Sequence, residues 1–386
     1  MTKALIPIYG ITFIGVLGYT IMIPVLPYLA QHYAAPDIVV GLLMTTMAIC
    51  SSISAPVWGA MSDRFGRKPI VMISQLFSLV GYLLLALATS LGVIFLSRAI
   101  SGLGGGNVGV AQSYIADVTA EEHRGEAYAY FGVAFGMGFI IGPVLGGVLV
   151  RLGFDAPFYA AAALELVNIG FTLLFLPAGK LGRSGARRSV REVVRAIRMP
   201  AIRSLFGRQF LFIFAVTYFF TIFALYLKHV LDLGPSEVAW LLAGAGLIGA
   251  AVQLGAIGKL TERFGARAVS NAGFALGLIA YALLAFVTGL WTFVFVLVLW
   301  ALGAALVSPT LTSLLSEAAP VEERGVVMGL NDSINNAALI IAPAIGAAVS
   351  TVNPRLVGIA PAVAASVALV LGLGATSRRK VRASGP

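Results

Sequence analysis

Charged residues are spaced so unevenly along this chain that they divide it into long apolar runs. Nine runs carry no charge at all: 4–31, 38–62, 69–97, 99–116, 127–150, 209–227, 238–258, 333–354 and 356–377. Residues 268–316 form a longer run, enough for two helices with a turn near Thr288, and 156–179 is interrupted only by Glu165. About 20 apolar residues suffice for a helix to cross a bilayer. The pattern therefore predicts twelve membrane-spanning helices, which we number spans 1 to 12 in chain order.

The composition fits a protein whose surface faces lipid. Hydrophobic residues make up 59% of the 386 positions and charged residues 11%, whereas about a quarter of the residues in soluble domains are charged. The mean hydropathy is +0.96. With one cysteine, Cys50, the chain has no internal disulfide. The first run carries Pro24 and Pro27 and has no clear small-residue cleavage site, so we expect a span and not a signal peptide.

The basic residues indicate membrane orientation and not nucleic-acid binding. With both termini in the cytoplasm, all but four of the 26 Lys and Arg residues fall on the cytoplasmic side, the four being Arg98, Arg151, Lys228 and Arg355. This is the positive-inside pattern of membrane proteins. We expect a multi-pass protein of the cell inner (cytoplasmic) membrane that is surrounded by lipid, acts as a monomer and has no nucleic-acid partner.

A polar stretch and an internal repeat divide the chain into two halves. Residues 180–208 carry nine Lys or Arg and one Glu, and 123–147 aligns with 323–347 at an offset of 200. Such a repeat predicts an all-α membrane protein of two pseudo-symmetric six-helix bundles with a site near the bilayer midplane. The expected parts are an N-terminal bundle at 1–179, a cytoplasmic linker at 180–204, and a C-terminal bundle with a basic cytoplasmic tail at 205–386.

A charged, glycine-containing phrase occurs twice between spans. It reads "GAMSDRFGRKP" at 59–69 and "GKLTERFGARA" at 258–268. In the first copy Gly59 and Gly66 permit a tight turn and close helix contact, and Asp63 can face a helix N-terminus. The basic residues Arg64, Arg67 and Lys68 can pair with carboxylates of a neighbouring helix. The alternative is a solvated loop whose charges only follow membrane topology.

Two acidic residues at membrane depth are candidates for chemistry, since each costs free energy to insert. Glu165 lies about ten residues into span 6, near mid-membrane, where a carboxyl group is suited to take up and release protons or to bind a cationic substrate. A structural hydrogen bond to a neighbouring helix is the alternative. Asp332, about six residues into span 11, can line a cytoplasmic vestibule or contact the basic residues that follow span 2.

Small residues recur at four-residue spacing in span 5, which lets helices pack closely in lipid. They are Gly132, Gly136, Gly138, Gly142 and Gly146. Pro143 bends the helix because it lacks a backbone donor. Further polar and aromatic residues at membrane depth are candidates for lining a substrate cavity, with packing or lipid contact as the alternative. They are Asn107, Gln112, Asn168, Gln253, Asn331 and Asn335, with Tyr218, Phe219, Phe223 and Tyr226 of span 7.

The sequence carries no sign of an enzyme. It has no ATP-binding glycine loop, because "GAIGKLT" at 255–261 has the wrong spacing. Gly104, Gly106 and Gly109 match a dinucleotide motif, but no strand precedes them. Three histidines and one cysteine supply no metal cluster or catalytic triad. We therefore expect no cofactor or metal, with protons as the coupling ion.

Four motifs, in order along the chain, resemble the major facilitator superfamily, in particular its twelve-span drug:proton antiporter branch. "GAMSDRFGRKP" resembles the signature between spans 2 and 3, and "RAISGLGGG" at 98–106 the span 4 motif with its arginine. "GFIIGPVLGG" at 138–147 resembles the span 5 antiporter motif, whose matched residues are Gly138, Gly142, Pro143, Gly146 and Gly147. "IPVLP" at 23–27 is similar to the end of span 1 in tetracycline-type exporters.

The resemblance implies a latch on the cytoplasmic side that helps hold the outward-facing state. Asp63 would meet the helix that begins near Gly325, and Arg64 would pair with Asp117 at the end of span 4. By the internal repeat, the second copy would form the matching half of the latch. Its expected contacts are Glu262 with span 5 and Arg263 with Glu317.

The resemblance also gives roles to Arg98 and to the bend of span 5. The counterpart of Arg98 influences a nearby proton-carrying acid, so proton coupling is assigned to Arg98 together with Glu165 or Asp332. A residue that snorkels or satisfies backbone carbonyls is the alternative for Arg98. The bend at Pro143 is implied to act in gating.

This sequence departs from the family pattern at three places. Tetracycline-type exporters carry an aspartate in span 1 where this chain has Gly15, and span 1 contains no acid. In the second loop copy Glu262 replaces Asp and Ala266 stands where the first copy has an arginine, while span 10 has no counterpart of Arg98. The first departure argues against tetracycline itself as substrate.

These observations predict a secondary active transporter that exports small amphiphilic or drug-like molecules in exchange for protons by alternating access. Two alternatives stay open. One is a solute importer or facilitator of the same fold. The other is a lipid or lysolipid flippase, which an aromatic cavity would serve equally well.

Overall fold

The computed structural model describes residues 5–120, 123–177, 199–319 and 324–383, and within these ranges the chain forms helices and no strand. Twelve spans are long and apolar enough to cross a membrane, which confirms the number predicted from the spacing of charges. The helices of spans 1 to 6 are Ile6–Ile21 with Leu26–His32, Asp37–Phe65, Arg67–Ala86, Leu91–Leu103 with Asn107–Val118, Arg124–Leu149, and Ala156–Phe175. Those of spans 7 to 12 are Pro200–Leu231, Pro235–Gly255, Ala266–Leu283, Leu290–Ala318, Arg324–Val352 and Ile359–Ala383, with a loop helix, Ile257–Phe264, between spans 8 and 9.

Spans 1 and 4 are each broken into two helices, which the spacing of charges does not predict. In span 1 the break covers residues 22–25, where Pro24 has no N–H for a helical hydrogen bond. In span 4 it covers Gly104–Gly106, where three consecutive glycines each disfavour the helix by about 1 kcal/mol.

The chain divides into two compact units. Unit 1 contains spans 1 to 6 together with Leu233–Ala243, and unit 2 contains the described residues of 199–232 and 244–383. The linker expected at 180–204 lies outside the described residues up to 198, and the expected domain limits stay predictions. The segment Leu233–Ala243 joins unit 1 through Ser236, whose hydroxyl donates to the carbonyl of Gly147 at 2.6 Å.

In unit 1, span 5 packs along span 1 through the glycines of the predicted antiporter motif. A Cβ at Gly142 would overlap the side chain of Thr20, and one at Gly146 would overlap the carbonyl of Ile21. The Thr20 hydroxyl donates to the carbonyl of Gly138 at 2.9 Å. These glycines therefore allow the two backbones to approach closely, as the small-residue spacing predicts. The bend expected at Pro143 lies inside a continuous helix, Arg124–Leu149.

Candidate functional site

A cavity of about 250 Å³ lies inside unit 1. Its wall is mostly apolar, and its polar side chains come from spans 1, 3, 4 and 6. They are Thr12, Tyr19, Ser78, Tyr82, Ser101, Asn107, Glu165 and Asn168. An apolar cavity with a few convergent polar groups is typical of a small-molecule site.

The break in span 4 brings backbone to this cavity at Gly104 and Gly105. Side chains of spans 2 and 3 donate hydrogen bonds to the carbonyl groups around the break. The bonds run from Ser54 to Gly102 (3.2 Å), from Trp58 to Leu103 (2.6 Å), from Ser51 to Gly105 (3.1 Å) and from Ser74 to Gly104. An unsatisfied carbonyl at membrane depth costs several kcal/mol, so these donors stabilise the break.

Glu165, predicted as a coupling residue, is 1% exposed and lines the cavity. Asn168, one turn further along span 6, lines the same cavity. The Oε1 atom of Glu165 has no hydrogen-bond partner, and no basic group lies within 4.0 Å of the carboxyl group, among the described residues. Burying an unpaired carboxylate is costly. The site therefore favours occupation of this group by a proton or by a cationic ligand.

A polar stripe continues from Asn168 along span 6. The Thr172 hydroxyl donates to the Asn168 carbonyl at 2.9 Å and accepts from Nε2 of Gln75 in span 3, also at 2.9 Å. Lys68 then donates to the carbonyl of Leu173 at 2.8 Å. Gln75 is completely buried and was missed at the sequence level, although a polar residue inside the apolar run 69–97 is a usable signal.

Arg98 is 1% exposed and belongs to the first helix of span 4. Its guanidinium donates to the sulfur atoms of Met22 (3.0 Å) and Met47 (3.9 Å) and to the Ser97 hydroxyl (3.2 Å). No carboxylate lies within 4.0 Å of it in the described part of the chain.

Gly15, where tetracycline-type exporters are expected to carry an acid, also lines the cavity. A Cβ at this position would lie 3.3 Å from Nδ2 of Asn168. One turn on, a Cβ at Gly18 would lie 4.0 Å from Oε2 of Glu165. The glycines of span 1 therefore lie opposite the polar residues Glu165 and Asn168 of span 6.

The loop after span 2 forms an ion cluster, but its central residue is Arg67 and not Arg64. Arg67 lies 2.7 Å from Asp63 and 2.9 Å from Asp117, and its guanidinium also donates to Ser62 at 2.5 Å. The predicted pair of Arg64 with Asp117 is therefore wrong. Arg64 is exposed and stacks on the neighbouring ring of Phe65 at 5.2 Å, because Gly66, at φ 94°, turns the chain after it.

The second copy of the loop does not build a matching cluster. Glu262 and Arg263 are exposed, and the Arg263 guanidinium stacks on the ring of Phe264 at 5.2 Å. Glu317 accepts a hydrogen bond from Ser313 at 2.8 Å, and no ion pair with Arg263 forms among the described residues. The predicted pair of Arg263 with Glu317 is wrong: Arg263 is the counterpart of the exposed Arg64, and Ala266 stands at the position of the central Arg67. The contacts expected for Asp63 and Glu262 with the other half of the chain stay predictions.

The remaining predicted lining residues are not brought to this cavity. Gln112 and Gln253 are exposed, as is Asp332. In unit 2, Nε2 of Gln209 donates to Oδ1 of Asn335 at 3.1 Å, and the buried Oδ1 of Asn331 has no hydrogen-bond partner among the described residues.

The aromatic residues of span 7 form a packed core of unit 2. Tyr218, Phe219 and Phe223 are at most 2% exposed. The ring of Phe219 lies 5.0 Å from that of Trp300, and the ring of Phe223 lies 5.6 Å from that of Phe293. These three residues therefore follow the alternative given in the sequence analysis, in which the span 7 aromatic residues pack against other helices and do not line a cavity.

Unit 2 also contains a buried cation that sequence reasoning missed. Arg208 is 3% exposed and donates to Ser270 at 3.0 Å and to Oδ1 of Asn271 at 2.7 Å. Its guanidinium lies 5.0 Å from the centre of the Phe274 ring. Its place at the end of the basic stretch 180–208 concealed it, because the neighbouring arginines suggested a solvated segment.

Comparison with known proteins identifies the family. The family model for the Major Facilitator Superfamily matches residues 8–228 and 205–386. The chain is 30% identical over 345 residues to the tetracycline resistance protein, class B, of Escherichia coli, covering 86% of this chain and 85% of that one. It is 28% identical to multidrug resistance protein 2 of Bacillus subtilis, covering 94% and 92%.

A solved structure shows the same fold. A bacterial homologue of the human lysosomal transporter Spinster matches with a TM-score of 0.80 at 15% identity, covering 97% of this chain and 96% of that chain. Together with the twelve spans, these matches show that the chain belongs to the major facilitator superfamily and is a multi-pass membrane transporter of small molecules, not an enzyme.

Proposed function

We propose that the protein exports small amphiphilic molecules in exchange for protons by alternating access, with Glu165 as the coupling residue. The observation that carries the proposal is the position of Glu165: a buried carboxyl group with an unpartnered oxygen, on the wall of a mostly apolar cavity. The relatives named as resistance proteins support drug-like molecules as cargo. We place the protein in the inner membrane with both termini in the cytoplasm and treat it as a monomer.

The exchange follows from the charge of the cavity wall. Ionised Glu165 attracts a cationic ligand, whereas a proton on Glu165 neutralises the carboxyl group and removes that attraction. A cation without its negative partner is costly in a buried site. A proton and a cationic substrate therefore compete for Glu165, and each leaves before the other binds.

The proton gradient is sufficient to drive such an exporter. One proton moving down 100 mV releases about 2.3 kcal/mol, and one pH unit adds about 1.4 kcal/mol. Together they support a substrate gradient of roughly several hundredfold, since each 1.4 kcal/mol corresponds to a factor of ten.

The test uses purified protein in liposomes that enclose a pH-sensitive dye. Lipophilic amines, neutral drugs and lysolipids are added in turn, and proton movement is followed for the wild type, Glu165→Gln and the exposed control Glu126→Gln. We expect substrate-dependent proton movement that Glu165→Gln loses and Glu126→Gln retains. Substrate movement without protons would instead support a facilitator, and movement of lysolipid alone would support a flippase.

A further inference from the structure

Several residues that line the unit 1 cavity carry buried polar atoms without a hydrogen-bond partner among the described residues. Four lining residues each carry a buried side-chain oxygen without a hydrogen-bond partner in the described part of the chain. They are the Ser101 hydroxyl, Oδ1 of Asn107, Oε1 of Glu165 and Oδ1 of Asn168. An unsatisfied buried polar group costs about 1–3 kcal/mol. A ligand in this cavity that forms hydrogen bonds with these oxygens would recover part of that cost.

These oxygens are acceptors. A carboxylate oxygen and an amide oxygen accept hydrogen bonds and donate none, and a hydroxyl can do either. Oδ1 of Asn168 has no hydrogen-bond partner among the described residues, while its Nδ2 lies 3.3 Å from the position of a Cβ at Gly15. Asn107 is the first residue of the second helix of span 4, directly after the unwound glycines.

We infer that the substrate of this cavity is a protonated amine, whose N–H groups bind to these oxygens while its apolar part packs on the rest of the wall. The inference rests on the proposed function, because it takes this cavity as the substrate site. Ile8, Ile11, Val16, Val71 and Phe135 provide the apolar surface. The acceptor oxygens are shielded from solvent, so rotation of their side chains towards the cavity presents them to the ligand.

The inference predicts selectivity for N–H donors and not only for positive charge. A quaternary ammonium ion has the same charge as a protonated amine but donates no hydrogen bond, so it would leave the oxygens unsatisfied on binding. A site built to bind N–H groups discriminates strongly against an analogue that lacks them. Affinity should therefore fall at each step as the N–H groups of one amine are replaced by N-methyl groups.

The experiment measures binding of 2-phenylethylamine and its N-methyl, N,N-dimethyl and N,N,N-trimethyl derivatives to the purified protein by calorimetry. We expect the primary amine to bind at least about tenfold more tightly than the trimethyl compound. Asn168→Leu keeps the side-chain volume but removes the acceptor, so it should narrow this ratio severalfold. The control Gln253→Leu, on an exposed residue of span 8, should leave the ratio unchanged.

Three outcomes overturn the inference: no binding of the amines, equal binding along the series, or a ratio that Asn168→Leu does not change. The last separates hydrogen bonding from steric exclusion, since both side chains fill similar space. Proton movement in liposomes is scored separately with the same compounds. If protons move with amine and quaternary ion alike, the inference fails and the proposed function stands. If the amines bind in the expected order but move no protons, the proposed function fails instead.

Discussion

Gly15 of span 1 and Glu165 of span 6 line the same cavity. A Cβ at position 15 would lie 3.3 Å from Nδ2 of Asn168, which is one turn from Glu165 on span 6 and lines the same cavity. The family resemblance leads one to expect a carboxyl group on span 1, and span 1 has none. In this chain Glu165 of span 6 supplies a carboxyl group to the same cavity.

The first prediction is that a carboxylate on span 1 can replace the one on span 6. Glu165→Gln should lower substrate-driven proton movement at least about tenfold, and adding Gly15→Asp should restore a substantial part of it. The physical reason is that the carboxylate introduced on span 1 would meet the Asn168 amide in the same cavity. The matched control is Gly15→Asn with Glu165→Gln, which has the same shape without the charge. Equal activity of the two double variants would contradict the account.

The second prediction separates Arg67 from Arg64. Arg67→Gln leaves Asp63 and Asp117 facing each other without a cation, whereas Arg64→Gln removes an exposed side chain. Because the two carboxylates are 34% and 39% exposed, solvent screens the loss, and we expect about 1–2 kcal/mol from Arg67→Gln. Thermal unfolding in detergent should show a lower Tm for Arg67→Gln alone. The same decrease in both variants would refute the assignment of Arg67 as the central residue.

The third prediction concerns the close contact of spans 1 and 5. Gly146→Ala places a methyl group on the carbonyl of Ile21, whereas Gly136→Ala meets no atom within 4 Å. Overpacking of this kind costs about 1–3 kcal/mol, and backbone contact leaves little room for relief. The amount of monodisperse protein in size-exclusion chromatography should fall for Gly146→Ala and not for Gly136→Ala. Normal recovery of both variants would mean that the two spans do not pack this closely.

Much of the fold can be predicted from the sequence, because the lipid environment restricts which backbone conformations can cross the membrane. A chain at membrane depth must satisfy its own backbone groups, so apolar runs such as 38–62 and 209–227 become helices. The motif glycines likewise predict that span 5 packs closely on another helix, and the structure identifies that helix as span 1. The breaks at 22–25 and 104–106 do not follow from the spacing of charges. The carbonyl groups around the second break accept hydrogen bonds from residues distant in sequence, such as Trp58.

The site is only partly readable, for a related reason. Glu165, Asn168 and Asn107 are detectable as polar residues inside apolar runs, and the structure brings all three to one cavity. Which residue binds which is a property of packing. Arg64 and Arg67 lie three positions apart in one phrase, and only the turn at Gly66 decides which of them reaches Asp117. In the sequence, Tyr19 and Tyr82 resemble ordinary packing residues. The structure shows that they line the same cavity as Glu165.

The fourth prediction concerns the buried cation of unit 2. Arg208→Met removes the donor to Ser270 and Asn271 and leaves buried acceptors unsatisfied, at a cost of about 2 kcal/mol. Arg208→Lys keeps the charge but loses the planar Nη2 group that donates to both partners, so it should be destabilised as well. Thermal unfolding should distinguish both from Arg203→Met, which alters an exposed arginine of the same helix. Full stability of Arg208→Met would contradict this structural role.

The central claim, that Glu165 exchanges a proton for substrate, is tested most directly by counting protons released when substrate binds. A weakly buffered solution of the purified protein is titrated with a primary amine that the protein binds, and the pH change is recorded beside the heat of binding. We expect about one proton released per bound molecule in the wild type, and none in Glu165→Gln. Proton release that persists unchanged in Glu165→Gln, with binding intact, would contradict the claim.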